Sequence, residues 1–486
     1  MLESASYSRI HPVSTGRPLS TIVLPILFAA LVVAVLTVTS SWGAPLSVLA
    51  CMAFCAFLVS APPFWLAVLL IVLIPFQNLF SELLGGYGSD ARQVFVVWKD
   101  VLLLVGIFRL LLNNPNRRQI MSVNRWVLSW SGLLMLAYCV AFLHAPSIPA
   151  VISLALETRF LGVMLFFMLL RLDEKRTATL FHLMLWSVGL LAIYGLIQYF
   201  WDYERLLPLA SYPPELVADV HRRLYSYSLN ALEPAYAAVI AILILFSGVT
   251  RYRLRAALLW SALLVPCLLL TYTRSAYLGL LAGITTLCIL HRIRLRRIAL
   301  VSVVATGLIC GALLFGGTAV SRSNLGQRLE SIVSQNDESS LAHKERMQTA
   351  VRVISANPLG IGLGKYGTVE ARFSGGVEEA QFAENWALQV AIGAGVIAAF
   401  AFAGLTVTIL WSLFSRQCRE AHSAALVAAA VSVFTAMTIA GVMMPIWDFL
   451  TPVVYVWALL GMAMATCDAW ELSSAVEPTQ LHCHHT

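Results

Sequence analysis

Apolar and polar residues fall into long alternating blocks along this chain. About fourteen mostly apolar stretches lie near 20–39, 45–61, 62–80, 93–112, 124–144, 150–170, 178–200, 231–250, 255–272, 274–291, 298–317, 386–414, 422–441 and 449–467. A helix needs about 20 such residues to cross a hydrocarbon core. With the N-terminus in the cytoplasm, alternation gathers Arg9, Arg17, Arg117, Arg118, Arg125, Arg171, Lys175 and Arg176 on the inner side. Arg251, Arg253, Arg255, Arg292, Arg294, Arg296, Arg297, Arg416 and Arg419 join them there. Opposite connectors such as 40–45 and 144–149 carry almost nothing basic. This asymmetry predicts an N-in, C-in orientation. The expected fold class is all-α, a polytopic integral membrane protein with about 12–14 transmembrane helices. A cytoplasmic N-terminus (1–19) precedes a transmembrane domain (20–467) with long outer loops at 201–230 and 318–385. A polar, loosely ordered cytoplasmic tail (468–486) follows.

Composition sharpens this picture. The chain is 59% hydrophobic and 12% charged, with mean hydropathy +0.80, far from an ordinary soluble domain. The inner connectors supply the formal charge of +7, which suits anionic head groups and implies membrane lipid, not nucleic acid, as the partner. The run at 20–39 is long enough to span and lacks a small-residue cleavage site, so no cleavable signal peptide is expected. The nine cysteines fall mainly in spans or on the inner side and avoid the two long outer loops, where disulfides would be favoured. They read as small packing residues. The tail His482-Cys483-His484-His485 has no second cluster to complete a metal site.

Chemistry is expected in the outer loops. Within 318–385 a helix is predicted from about Ser340 to Ala356, with Met347, Ala350, Val351 and Ile354 on one face. Asn357-Pro358 closes it. The series Gly360, Gly362, Gly364, Lys365 and Gly367 invites a phosphate-loop reading, but a helix precedes it and no βαβ unit exists. A flexible turn is the preferred reading, and backbone N–H groups lining an anion site the weaker one. Lys99, Asp100, Glu157, Arg159, Glu233, Arg274, Glu384 and Asp448 are ionisable groups at or below the outer surface. Such groups pair with one another or line cavities. Lys99 and Asp100 suit a structural ion pair as well as function. Arg159 is better placed for substrate. The aromatic residues of 199–227 suit sugar stacking or an interfacial belt equally.

A set of motifs occurs in order. Arg223-Leu-Tyr-Ser-Tyr-Ser-Leu-Asn-Ala-Leu-Glu-Pro-Ala-Tyr leads into a span, and Leu269-Leu-Thr-Tyr-Thr-Arg274-Ser-Ala-Tyr-Leu-Gly-Leu-Leu follows. Next come Gln327-Arg328-Leu-Glu with Arg346 downstream, then Asn357-Pro358-Leu-Gly-Ile-Gly; last is Glu384-Asn385, with Gly395 beyond. This order resembles the bacterial O-antigen ligase and polysaccharide polymerase superfamily, over a core of roughly 220–415. The resemblance implies a glycosyltransferase C-like fold and a metal-independent, inverting transferase without a cofactor. Its donor would be undecaprenyl-pyrophosphate-linked oligosaccharide and its acceptor a glycan, on the outer face of the bacterial inner membrane. Other polysaccharide-assembly proteins are the implied partners.

Carried over by motif, Arg274 and Arg346 would hold the pyrophosphate, with Arg346 preferred to Arg328. Arg223 is a further contact, and Asn385 a substrate contact. Ligases carry His-Asn where this chain has Glu384-Asn385, which favours polymerase over ligase. Physically, two guanidinium groups in a partly dry site can stabilise the leaving pyrophosphate. A partly desolvated Glu384 could accept the acceptor's proton. A secondary transporter or flippase stays open, since many spans and buried charges fit it too. Repeated halves are not evident in the sequence.

The orientation has a direct test. Cysteines introduced at Ser211 and Ser374 should be labelled by an impermeant maleimide in cells with an opened outer envelope, and one at Asn116 should not. Labelling at Asn116 alone would invert the topology.

Overall fold

The computed structural model describes residues 57, 58, 60–79, 89–113, 124–201, 224–226, 231–250, 252, 254–291, 338–367, 369–370, 383, 385–415 and 420–480. Met1–Trp65 and Leu66–Thr486 form two compact units. Apart from residues 63–65, the helices described below belong to the second. The stretches expected to span at 20–39 and 298–317, and most of 45–61, lie outside the described residues.

The described secondary structure is helical throughout, without a strand. In chain order the helices are α1 (Pro63–Leu73), α2 (Ser89–Asn113), α3 (Arg125–His144), α4 (Ile148–Leu170), α5 (Glu174–Phe200), α6 (Leu232–Ser247) and α7 (Leu254–Leu270). They continue as α8 (Arg274–His291), α9 (Glu338–Ala356), α10 (Trp386–Ala394), α11 (Val396–Ser415), α12 (Ala421–Gly441) and α13 (Leu450–Gln480). Local chemistry sets several starts. The Ser147 hydroxyl accepts from Ala150 N before α4, and the Asp173 carboxylate accepts from Arg176 N before α5. Both satisfy N–H groups that a helix start leaves open. α13 runs on to Gln480, past the stretch read as a span at 449–467 and into the expected tail.

Five helical segments are long and apolar enough to cross a membrane: Arg125–His144, Ile148–Leu170, Glu174–Phe200, Trp386–Ser415 and Ala421–Gly441. Shorter apolar helices accompany them. This is an all-α, polytopic membrane protein. α6 and α12 are buried on nearly every face and form the centre with the first part of α13. α3 and α11 instead expose Trp126, Leu136, Leu143, Phe400, Val407 and Trp411. An apolar band on that scale is unfavourable in water and ordinary against lipid.

Helix pairs approach closely where side chains are small. Gly279 and Gly283 are four apart on α8, and a Cβ at Gly279 would lie 2.8 Å from Ala436 O of α12. One at Gly283 would meet Leu243 of α6 at 2.5 Å and Ala436 Cβ at 3.0 Å. The Gly-x-x-x-Gly spacing lets α8 lie against α12 backbone to backbone, where lipid supplies no hydrophobic drive to bring helices together. Gly461 does the same for α13 against α4, its Cβ position 2.5 Å from Met164 O.

Polar groups also join helices. Glu233, in the first turn of α6 and 4% exposed, accepts from Thr451 N at 2.9 Å and from Thr451 Oγ1, in the first turn of α13. Asn78 Nδ2 donates to its other oxygen at 3.4 Å. Glu233 thus caps a second helix across the bundle, a structural use for a carboxylate met in the sequence as a candidate site group.

Replacing Glu233 with Ala leaves the buried Thr451 N–H without its acceptor, a loss of about 1–3 kcal/mol for a buried group. The purified Glu233→Ala variant should melt several degrees below the wild type in detergent. An unchanged Tm would remove the cap from the account. Gly283→Leu should yield little folded protein in the membrane.

Candidate functional site

One end of the bundle gathers the starts of α4, α6, α8, α10 and α13 and the finish of α12. α9 and the turn after it pack over this end. α9 begins at Glu338, close to the expected Ser340, and packs on α10. Ala350 is buried in a small cluster with Tyr366, Ala383 and Ile392, and Val353, Ile354, Ile361 and Leu388 pack around it. Val351, expected on the same face, is 55% exposed instead. The buried stripe runs through Ala350, Val353 and Ile354, because α9 is covered along one narrow line by α10 and the turn.

The glycine series is a docked segment and not a flexible turn. Gly360 N donates to Asn357 O (2.9 Å), Ile361 N to Ile392 O (2.8 Å) and Gly362 N to Gly393 O (3.2 Å). Those three N–H groups are committed to protein carbonyls and are not open to an anion. Gly364, at φ +75°, lies so close to α4 that a Cβ would stand 2.5 Å from Pro149 C. A side chain at Gly393 would occupy the place of the Tyr366 ring. The Tyr366 hydroxyl donates to Glu157 Oε1 on α4, and Ser153 Oγ lies 3.4 Å from the same oxygen. Burial, and then the Glu157 carboxylate, push the Tyr366 phenol up, which keeps it protonated as the donor.

Arg274 is the first residue of α8 and is half-buried. A cation there gains nothing from the helix dipole, whose positive end attracts anions. Before it, Tyr272 adopts a left-handed backbone at φ 52°, a conformation that bulky side chains seldom take and that clusters at functional sites. The Tyr277 hydroxyl donates back to Leu269 O at 2.8 Å, and Leu224 N donates to Leu270 O at 2.9 Å. The first and second sequence motifs are therefore joined by backbone hydrogen bonding. Ser275, beside Arg274, meets the Tyr236 hydroxyl of α6 at 2.8 Å.

Asn385 starts α10. Its Oδ1 accepts from Leu388 N, and its Nδ2 donates to Val442 O at 2.9 Å, just past α12. The final turns of α12 lie against Gly279 of α8. Asn385 and Arg274 thus flank the same end of α12. Arg346 is exposed on α9, one turn before Ala350. Arg159 stands elsewhere, 12 residues into α4 from its cap and so about 18 Å along it. Its Nε and Nη2 bind the two oxygens of Asp100 at 2.8 and 3.2 Å, with Lys99 Nζ at 3.8 Å from Asp100. Glu384, Arg223 and Arg328 lie outside the described residues.

Two residues singled out by no motif also belong to this end. Gln389 Nε2 donates to Asp448 Oδ1 (3.1 Å) and Oδ2 (3.0 Å) in the 3₁₀ turn Ile446–Asp448 before α13. Gln389 carries no sequence signal, because only the pairing across 59 positions makes it notable.

No curated protein matches the chain. Residues 259–403, which run from within α7 into α11 and include Arg274, α9, the glycine turn and Asn385, match the family model described as O-Antigen ligase, a match that supports a relation to the O-antigen ligase-related superfamily.

Proposed function

We propose that this protein extends a surface polysaccharide by transferring glycan units from an undecaprenyl-pyrophosphate donor, on the outward face of the bacterial cytoplasmic membrane. The family match supports glycan transfer between a lipid-linked donor and an acceptor. The observation that carries the reading is that α8, which Arg274 begins, and the Asn385 side chain, both parts of the matched segment, reach the same end of α12. Polymerase is preferred to ligase because Glu384 stands where ligases carry histidine.

The reaction displaces pyrophosphate from the anomeric carbon. The acceptor oxygen bonds to that carbon, the bond to phosphate breaks, and the electron pair passes to the pyrophosphate. Arg274, on a helix start, and Arg346, on α9, hold that developing charge, each able to grip two oxygens. Glu384 takes the acceptor proton. Arg223 and Arg328 are further donor contacts and Asn385 a substrate contact. Arg159 is engaged by Asp100 and serves the donor site from a distance, by holding α2 against α4.

Deletion of the gene, followed by sizing of the surface glycan, tests the class. Loss of long chains with single repeats retained supports a polymerase, whereas accumulation of unattached lipid-linked polymer indicates a ligase. Arg274→Ala and Arg346→Ala should each lower transfer on the order of 10²–10³-fold at normal protein levels, with poor rescue by lysine. Near-normal turnover in Arg274→Ala would sink the donor site. Glu384→Gln keeps size and hydrogen bonding but not proton acceptance, and should lower transfer about 10²-fold, with partial activity in Glu384→His. Full turnover in Glu384→Gln would take that carboxylate out of the mechanism.

A further inference from the structure

Asp448 differs from the other acidic groups at this end of the bundle. Glu157 and Glu233 are 5% and 4% exposed and serve packing contacts, whereas Asp448 is only partly buried. It sits between the two parts of the proposed transfer site. On one side, Gln389 Nε2 reaches both its oxygens, and Asn385 lies one turn earlier on the same helix. On the other, Phe449 next to it packs its ring 6.1 Å from that of Tyr236, whose hydroxyl meets Ser275 beside Arg274. The amide is 3% exposed, and its Oε1 has no hydrogen-bond partner among the described residues.

The chemistry of the pair selects a ligand. An ionised carboxylate offers about four acceptor positions, and an amide oxygen two more. A buried amide oxygen without a donor is unfavourable unless something occupies it. What fits is a neutral group carrying several donors on adjacent atoms, such as the vicinal hydroxyls of a saccharide. A phosphate presents acceptors and negative charge, so it is repelled here and belongs with Arg274. Resting on the transferase reading above, we propose that Asp448 and Gln389 form the hydroxyl-binding subsite for the acceptor saccharide. Asp448 recognises the acceptor, while Gln389 positions the carboxylate and lends its own oxygen.

The test uses the full-length protein in liposomes with lipid-linked saccharide extracted from a strain lacking it. Two products are followed: elongated glycan, and free saccharide released when water replaces the acceptor. Water needs no sugar subsite. Asp448→Asn should therefore lower the ratio of transfer to hydrolysis about tenfold or more. Gln389→Glu should do the same by repelling Asp448, and Asp448→Glu should restore part of the ratio. Thermal melting of each variant separates folding from recognition. An unchanged ratio in Asp448→Asn, or equal loss of both products, would overturn the subsite. Wild-type protein that neither transfers nor hydrolyses the lipid-linked saccharide would instead refute the transferase reading itself.

Discussion

The break between α10 and α11 is the feature on which this end of the protein depends. Gly395, at φ +87°, interrupts the helix. Val396 N would otherwise donate to Ile392 O one turn back; it donates to Pro358 O at 2.9 Å, and Ile392 O accepts from Ile361 N at 2.8 Å. The two segments exchange hydrogen bonds, so neither can leave without stranding backbone groups where water is scarce. Irregular backbone within an apolar bundle is tolerated only when its polar groups are satisfied in this way. From that exchange follow the docking of the glycine turn and the seat of Tyr366 on Glu157. The cover that α9 places over α10 follows too.

Charges inside the bundle obey the same logic. Arg159 is 8% exposed at its side chain and is gripped through two nitrogens by Asp100, beside a Lys99 that is 1% exposed. Glu233 is held by a backbone N–H and a hydroxyl of Thr451 on α13. Groups so expensive to leave unpaired specify which helices must be neighbours. The partly exposed groups, Arg274 and Asp448, lie where α8 and α13 begin. Buried charge thus builds the frame, and the proposed chemistry uses what the frame leaves accessible.

Much of this was legible along the chain. Apolar runs of spanning length mark α3, α4, α5 and α12, because a helix in lipid must present apolar side chains over its whole length. The helical period and Asn357-Pro358 bound α9 closely. Arg274 and Asn385 stand out through motif order, since their neighbours are as recognisable as they are.

Other features were decided only by the fold. The glycines after α9 look like a phosphate loop or a loose hinge in one dimension. Their reason is the backbone of α4 and α10 pressed against them, which no local pattern encodes. Val351 shares the helical period of Ala350 but faces outward, because periodicity gives a face and not the width of what covers it. Glu157 with Tyr366 and Gln389 with Asp448 are contacts between residues 209 and 59 positions apart. The sequence by itself determined how many apolar helices the chain can offer and where charge may stand among them, because those follow from each residue's own solvation. Which polar groups meet was left to the tertiary structure, because partnership is a property of two surfaces and each residue carries only one.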